Sequence, residues 1–178
     1  MPTLRSATRA SAPSSKRRKT SAVQDGFRVP YELGPSPVAG RGVFATTPIK
    51  RGALIWEYVV GQSVLEHDEV SLRARLRGMR KAARRDLLEH VYVWEGSVIE
   101  ILDDAKLWNH SKSPNTGDHP DGEGDGAGDG VSSYALRDIA AGEELTDDYS
   151  LHHALPWFEQ ICKDVGAESC IAVGKSYK

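Results

Sequence analysis

Three short segments hold the residue types from which a binding or catalytic site is built. They are Gly40-Arg41-Gly42, Asn109-His110-Ser111-Lys112-Ser113-Pro114-Asn115, and Gly142-Glu143-Glu144-Leu145-Thr146-Asp147-Asp148-Tyr149. A Gly-x-Gly step lets backbone come close to a ligand, or simply makes a tight turn. The second segment groups an amide, an imidazole and hydroxyls in a loop with turn chemistry at Pro114-Asn115. The third ends a carboxylate-rich stretch on a phenol. Taken singly, each also reads as an ordinary turn, polar loop or edge strand. A further stretch imitates a calcium loop: Asp121, Glu123, Asp125, Gly126 and Asp129 fall at positions 1, 3, 5, 6 and 9 of an EF-hand. Position 12 needs a bidentate Glu and holds Ser132, so residues 117–130 read as a flexible acidic Gly/Asp loop. Cys162 and Cys170 are the only thiols, too few for a disulfide framework or a closed zinc site. No phosphate loop and no dinucleotide-binding glycine fingerprint is present.

The elements that must position these groups occupy a chain of 178 residues, 39% hydrophobic and 27% charged, enough to bury one core. The net charge of −2 hides an asymmetry. Residues 1–24 carry six cations (Arg5, Arg9, Lys16, Arg17, Arg18, Lys19) and no acid, which leaves −8 on the rest. That arm reads as disordered, and its Lys16–Lys19 run as a solvated tail, a nuclear-import signal or a nucleic-acid contact. No stretch approaches the roughly 18 apolar residues of a membrane span. The N-terminus lacks a signal-peptide core, so a reduced, intracellular setting is expected. From Val29 to Gly61, glycines and prolines punctuate short strands, with 53–60 expected as one well-buried strand. Val70, Leu72, Leu76, Met79, Ala83 and Leu87 recur at helical spacing among seven cations between 73 and 85, predicting a basic amphipathic helix broken near Gly78. Strand composition returns at 91–94, 98–102 and 131–136, and a last helix is predicted over Pro156–Val165. Many short strands with little helix predict a β-dominated α+β domain.

The order of the three segments is more specific than any one of them. G-x-G, then N-H-S-x-x-P-N, then G-E-E-L-T-x-D-Y some thirty residues on resembles the SET-domain protein-lysine methyltransferases. Glu57-Tyr58-Val59-Val60-Gly61, Leu102-Asp103-Asp104 and Ala135 to Ile139 fit the same pattern, so the resemblance covers roughly residues 28–152. It implies a fold of short β-sheets with a knot-like crossing of the Asn-His-Ser and Asp-Tyr segments. The domain is placed at 25–152, with a variable helical insert at 62–90 and a C-terminal helix and tail at 153–178.

The resemblance implies S-adenosylmethionine as methyl donor and a lysine entering a narrow channel from the opposite face. Ala39, Gly40, Arg41 and Gly42 would hold the donor's methionine part, and Asn109 and His110 its amino and adenine groups. Lys106 stands where the family commonly has Arg. Tyr149 is the matched active-site tyrosine, and Tyr58 matches an aromatic that shapes the channel. Tyr92 and Trp94 share a strand face and either line that channel or belong to the core. Trp157 and Phe158 either fold over the adenine or join the core. Asp147 replaces the Phe or Tyr that often precedes the Asp-Tyr pair and influences how many methyls are added. Lys112 replaces the Cys of zinc-bearing relatives, so no metal is expected. The implied substrate is a lysine-containing protein, with a histone tail favoured over a cytosolic protein. Nucleosomal DNA would be met through the arm and the 73–85 helix, in the nucleus. An inactive chromatin-binding scaffold is the alternative of a different class.

Overall fold

The structure, a computed structural model, describes residues 25–122 and 131–176. The basic arm 1–24 and residues 123–130 of the acidic loop, with the calcium-like positions there, lie outside the described residues. In chain order the strands are β1 (Tyr31–Pro35), β2 (Arg41–Ala45), β3 (Leu54–Trp56), β4 (Val64–His67), β5 (Val91–Trp94), β6 (Ser97–Ile101), β7 (Asn109–His110), β8 (Thr116–Gly117), β9 (Ser133–Ala135) and β10 (Glu144–Asp147). The helices are α1 (Glu69–Leu76), α2 (Lys81–Leu88), α3 (Pro156–Val165) and α4 (Cys170–Ser176), with 3-10 turns at Asp104–Leu107 and Tyr149–Leu151. They form three small sheets of order β1-β2-β10-β7, β3-β9-β8 and β4-β6-β5.

The crossing that matters lies in the first sheet. β10 runs antiparallel to β2 and parallel to β7, setting Thr146 opposite Asn109 and Asp147 opposite His110. Residues 37 apart in sequence thus pair without a hairpin. Asn115, only 1% exposed, fastens the crossing. Its Oδ1 accepts the Thr146 amide at 2.8 Å and its Nδ2 donates to the Glu144 carbonyl at 2.8 Å. A buried amide satisfied on both sides costs little, whereas stripping one partner leaves the full desolvation penalty.

One core cluster, containing Val43, Ile55, Trp56, Val64, Ile99 and Leu145, lies among the sheets. A second, containing Leu72, Leu88, Val93, Phe158 and Ile161, joins the helices to β5 and β6. Those two strands form a tight hairpin through Glu95 (φ 44°) and Gly96 (φ 84°), the two positive φ values such a turn demands.

Three expectations change. The 53–60 run is a strand only from Leu54 to Trp56. Ser63 Oγ accepts the Val59 amide (2.8 Å) and donates to the Glu57 carbonyl (2.8 Å), curling the chain so that Val60 is 58% exposed. The break expected near Gly78 (φ 81°) is present and divides the basic segment into two eight-residue helices; what changes is which side chains they bury. That break resets the helical phase: Val70 is 77% exposed and Ala83 lies on the surface, while Leu88 is buried instead. Residues 170–176, read as tail, form α4. Helix α3 spans the predicted Pro156–Val165, started by Pro in its first turn and closed by left-handed Gly166 (φ 74°).

Candidate active site

The donor-side segment is drawn together by one amide. Asn109 Nδ2 lies 3.2 Å from the Ala39 carbonyl, 3.0 Å from the Arg41 carbonyl and 2.7 Å from Glu144 Oε1. Glu144 Oε2 is held in turn by the Ser36 hydroxyl at 2.9 Å, and Ser36 Oγ also accepts the amides of Val38 and Ala39. Gly42 is obligatory here: a Cβ would sit 2.1 Å from Glu144 Oε1 and 3.2 Å from Asn109 Nδ2. The first, second and third motifs therefore meet at a single point, with Ala39, Gly40 and Arg41 exposed around it.

One residue along β7, His110 is 4% exposed, and its Nδ1 accepts the Tyr149 amide at 3.1 Å. Accepting there puts the ring proton on Nε2. The Tyr149 hydroxyl donates to the Trp108 carbonyl, so the residue before Asn109 fixes the phenol. The turn carrying Tyr149 is capped by Asp148, whose Oδ1 accepts the Ser150 amide at 2.9 Å.

Tyr149, Tyr92, Trp94, Trp108, Lys106 and Asp147 all line one cavity of about 290 Å³, together with Trp56, Ser132, His152, His153 and Cys170. The alternation of Tyr92 and Trp94 on β5 therefore ends on the cavity side. His152 packs against Tyr92 at 4.6 Å, and His153 stacks on Trp94 at 5.0 Å with planes 9° apart. Burial, then the nearby Tyr58 and Asp147, push the Tyr92 hydroxyl well above its ordinary value, and burial does the same to the Cys170 thiol. Both walls stay protonated and uncharged at neutral pH.

Two expected site residues stand elsewhere. Tyr58 is not part of the cavity lining; it sits edge-on to Trp56 at 6.2 Å and its hydroxyl donates to Glu66 Oε1 at 3.0 Å. Trp157 packs on the second core cluster beside Phe158, which is 1% exposed, away from the cavity. The side chains that motif reading missed are Ser36, Trp108, His152 and His153. None carries a sequence signal of its own, since each acts through a contact across the fold. Among the described residues, no three His, Cys, Asp or Glu side chains gather to hold a metal ion. Burial pushes the Cys162 thiol up to about 12, unlike a thiolate ligand.

A parallel crossing that joins N-H-S to E-L-T-x-D-Y beside a G-x-G strand defines a SET-type methyltransferase architecture. The family model for the SET domain matches residues 40–150, and the chain belongs to that family, the protein-lysine methyltransferases that use S-adenosylmethionine. It is 30% identical over 134 residues to the Schizosaccharomyces pombe histone-lysine N-methyltransferase, H3 lysine-37 specific, covering 75% of this chain and 80% of that one. It is 31% identical over 146 residues to the variant-silencing SET domain-containing protein of Plasmodium falciparum, covering 74% of this chain and 5% of that protein. Among solved structures, the Neurospora SET domain protein DIM-5, a histone lysine methyltransferase, is 21% identical with a TM-score of 0.44, over 68% of this chain and 52% of that chain.

Proposed function

We propose that this chain transfers a methyl group from S-adenosylmethionine to a lysine of a histone. The observation that carries the reading is the convergence of Asn109, the 39–42 backbone and Tyr149 across the β7–β10 crossing. The carbonyls of Ala39 and Arg41 and the Glu144 carboxylate converge on Asn109 Nδ2, which fixes the 39–42 backbone where the donor's methionine part would lie. Gly42, with no room for a Cβ, belongs to that cradle. Lys106 and the His110 backbone complete the donor side. When bound, S-adenosylmethionine supplies an electrophilic methyl on a cationic sulfur.

The residues of this chain do the rest by placement, the largest resource for an in-line displacement. Tyr92, Trp94 and Trp108 offer aromatic faces to an alkyl-ammonium chain. The same apolar wall, with a nearby cation, lowers a lysine pKa from about 10.4 and so favours the neutral nucleophile. Tyr149, held by the Trp108 carbonyl, orients the reacting groups; Tyr58, edge-on to the cavity-lining Trp56, supports the wall from behind.

The test is transfer of isotopically labelled methyl to separate core histones and to a cytosolic extract, with Tyr149→Phe alongside. Label on one histone, reduced about 10-fold or more in the variant at unchanged donor affinity, is the expected result. Label only in the extract would move the substrate outside chromatin, and donor binding with no transfer would make the chain a scaffold.

The same reading includes a DNA contact through the exposed cations of α1 and α2, and nuclear residence through the Lys16–Lys19 run. Deleting residues 1–24 should disperse a fluorescent fusion from the nucleus; retained nuclear signal would remove that role from the arm. Among the described residues, no helix is long and apolar enough to cross a membrane.

A further inference from the structure

The chain enters the described domain beside the cavity wall. Asp25 is held on both oxygens, Oδ1 by the Phe27 amide at 3.0 Å and Oδ2 by the Tyr31 hydroxyl at 2.7 Å. Gly26 and Phe27 are buried next to it. The Gly26 amide donates to Asp103 Oδ2 at 2.8 Å, and the Trp56 indole N–H donates to the same oxygen at 2.9 Å. Asp103 Oδ1 accepts the Ala105 amide at 2.9 Å. The Phe27 ring lies 5.5 Å from that of Trp108. Trp56, Ala105 and Trp108 all line the cavity. The fit is close, since a Cβ on Gly26 would sit 2.4 Å from Trp56 Nε1. One carboxylate and one ring contact therefore fasten the root of the N-terminal arm to three residues of the cavity wall.

Arm and cavity are complementary in charge. Residues 1–24, outside the described residues, carry six cations and no acid, and their only lysines are Lys16 and Lys19, which flank Arg17 and Arg18. Glu89, Asp118, Asp147 and Asp148 line the cavity against Lys106. Opposite charge of that kind raises the local concentration of a cationic segment at a cleft. Lys19 is six residues from the fixed Asp25 and Lys16 nine, so extended chain can carry them about 20 and 30 Å from that root. Both spans exceed the roughly 15 Å radius of gyration of a domain of about 150 residues. A tether this short also supplies an effective concentration on the order of a millimolar.

We propose that the enzyme methylates its own arm, the Lys16–Lys19 run entering the cavity of the same molecule. This rests on the lysine-methyltransferase reading. In the step, the ammonium of Lys16 or Lys19 gives a proton to water, and the electron pair left on Nζ forms the bond to the methyl carbon of S-adenosylmethionine. The carbon–sulfur bond breaks with its electrons remaining on sulfur. The sulfonium becomes a neutral thioether, and the methylated amine carries the positive charge. An arm seated this way occupies the place of a protein substrate and competes with it.

The test is incubation of the full chain with isotopically labelled S-adenosylmethionine, alone and beside core histones, followed by mass spectrometry of its peptides. Label on the peptide holding Lys16 and Lys19 is expected. Its rate per molecule should stay constant over a dilution of about 100-fold, where transfer between molecules would slow in proportion. Lys16→Arg combined with Lys19→Arg keeps the charge of the arm and should abolish self-labelling, with histones labelled at least as fast as by the wild type. Self-labelling that survives in this double variant overturns the proposal. So does an arm label whose rate per molecule falls with dilution, because the arm is then a substrate of other copies. Labelled histones beside an unlabelled arm overturn it while the methyltransferase reading stands. A chain that labels neither itself nor any other protein overturns both readings.

Discussion

At the scale of single residues, the donor side depends on an atom that is missing. A methyl group on Gly42 would strike Glu144 Oε1, normally a cheap collision with the end of a flexible side chain. Here that end is pinned by Asn109 and by Ser36, so the carboxylate cannot move without releasing both. Gly42→Ala should therefore weaken donor binding by about 1–3 kcal/mol, measured by calorimetry. Gly40→Ala is the informative contrast, because nothing lies within 4 Å of that Cβ and only its φ of 47° resists the change. Equal losses at both positions would mean that Glu144 relaxes freely and has no share in the cradle. Asn109, His110 and Tyr149 were legible in the sequence because their motifs carry fixed order and spacing. His152 was not, since its partner Tyr92 lies sixty residues earlier and only the fold puts their rings 4.6 Å apart. Trp157, for which the sequence left both the adenine and the core open, packs on the second core, where the amphipathic phase of α3 turns it.

At the scale of elements, the least legible piece supports the most functional one. Helix α4 is seven residues with an interior glycine; Ser169 Oγ caps its start by accepting the Ala172 amide at 3.4 Å, but so short a helix with a glycine inside has little propensity of its own. It exists because Gly174 lets it lie on the backbone of the turn that carries Tyr149. A Cβ there would sit 2.6 Å from the Ser150 amide nitrogen and 2.7 Å from the Tyr149 carbonyl carbon, neither of which can swing aside. Gly174→Ala should cost about 1–3 kcal/mol in urea unfolding and lower turnover together, by shifting the turn. Normal stability and turnover would show that α4 merely drapes over the site. Helix α3 shows the contrary case, where Pro156 and Gly166 mark both ends in the sequence and local chemistry suffices. The turn leading into β10 is held electrostatically. Its Glu143 carboxyl is lowered to about 2, first by the Arg137 guanidinium and then by the Ala140 amide and Asn115, against the resistance of partial burial. A carboxylate with a lowered folded pKa stabilises fully above its unfolded value of about 4.3 and loses that contribution as pH falls toward about 2. Glu143→Gln should therefore flatten the fall in stability between those limits, and a slope identical to wild type in acid urea titrations would assign it to other carboxylates.

At the scale of the whole molecule, two surfaces differ in charge. Glu89, Asp118, Asp147 and Asp148 line the cavity wall against a single lysine, Lys106. That balance suits a cationic peptide. The cations collect on the 69–88 insert, whose rim with α3 forms a groove lined by Arg73, Arg77 and Arg84. Three of the insert's arginines are spent internally: Arg73 on Glu69, Arg75 on Glu100 and Arg85 on Glu89. Among the described residues Arg77, Arg80 and Lys81 have no ion pair, and all three are exposed at the corner where Gly78 breaks the helix. The amphipathic pattern announced cations here, but only the break decides which ones face outward together. Such a corner fits a phosphate backbone, where each neutralised phosphate releases condensed counterions and steepens the salt dependence of binding. Replacing Arg77, Arg80 and Lys81 by Ala should reduce the slope of log affinity against log salt on duplex DNA by about 2–3. An unchanged slope would take DNA away from this face, and a loss of affinity without a change of slope would mean that the corner acts through shape rather than charge.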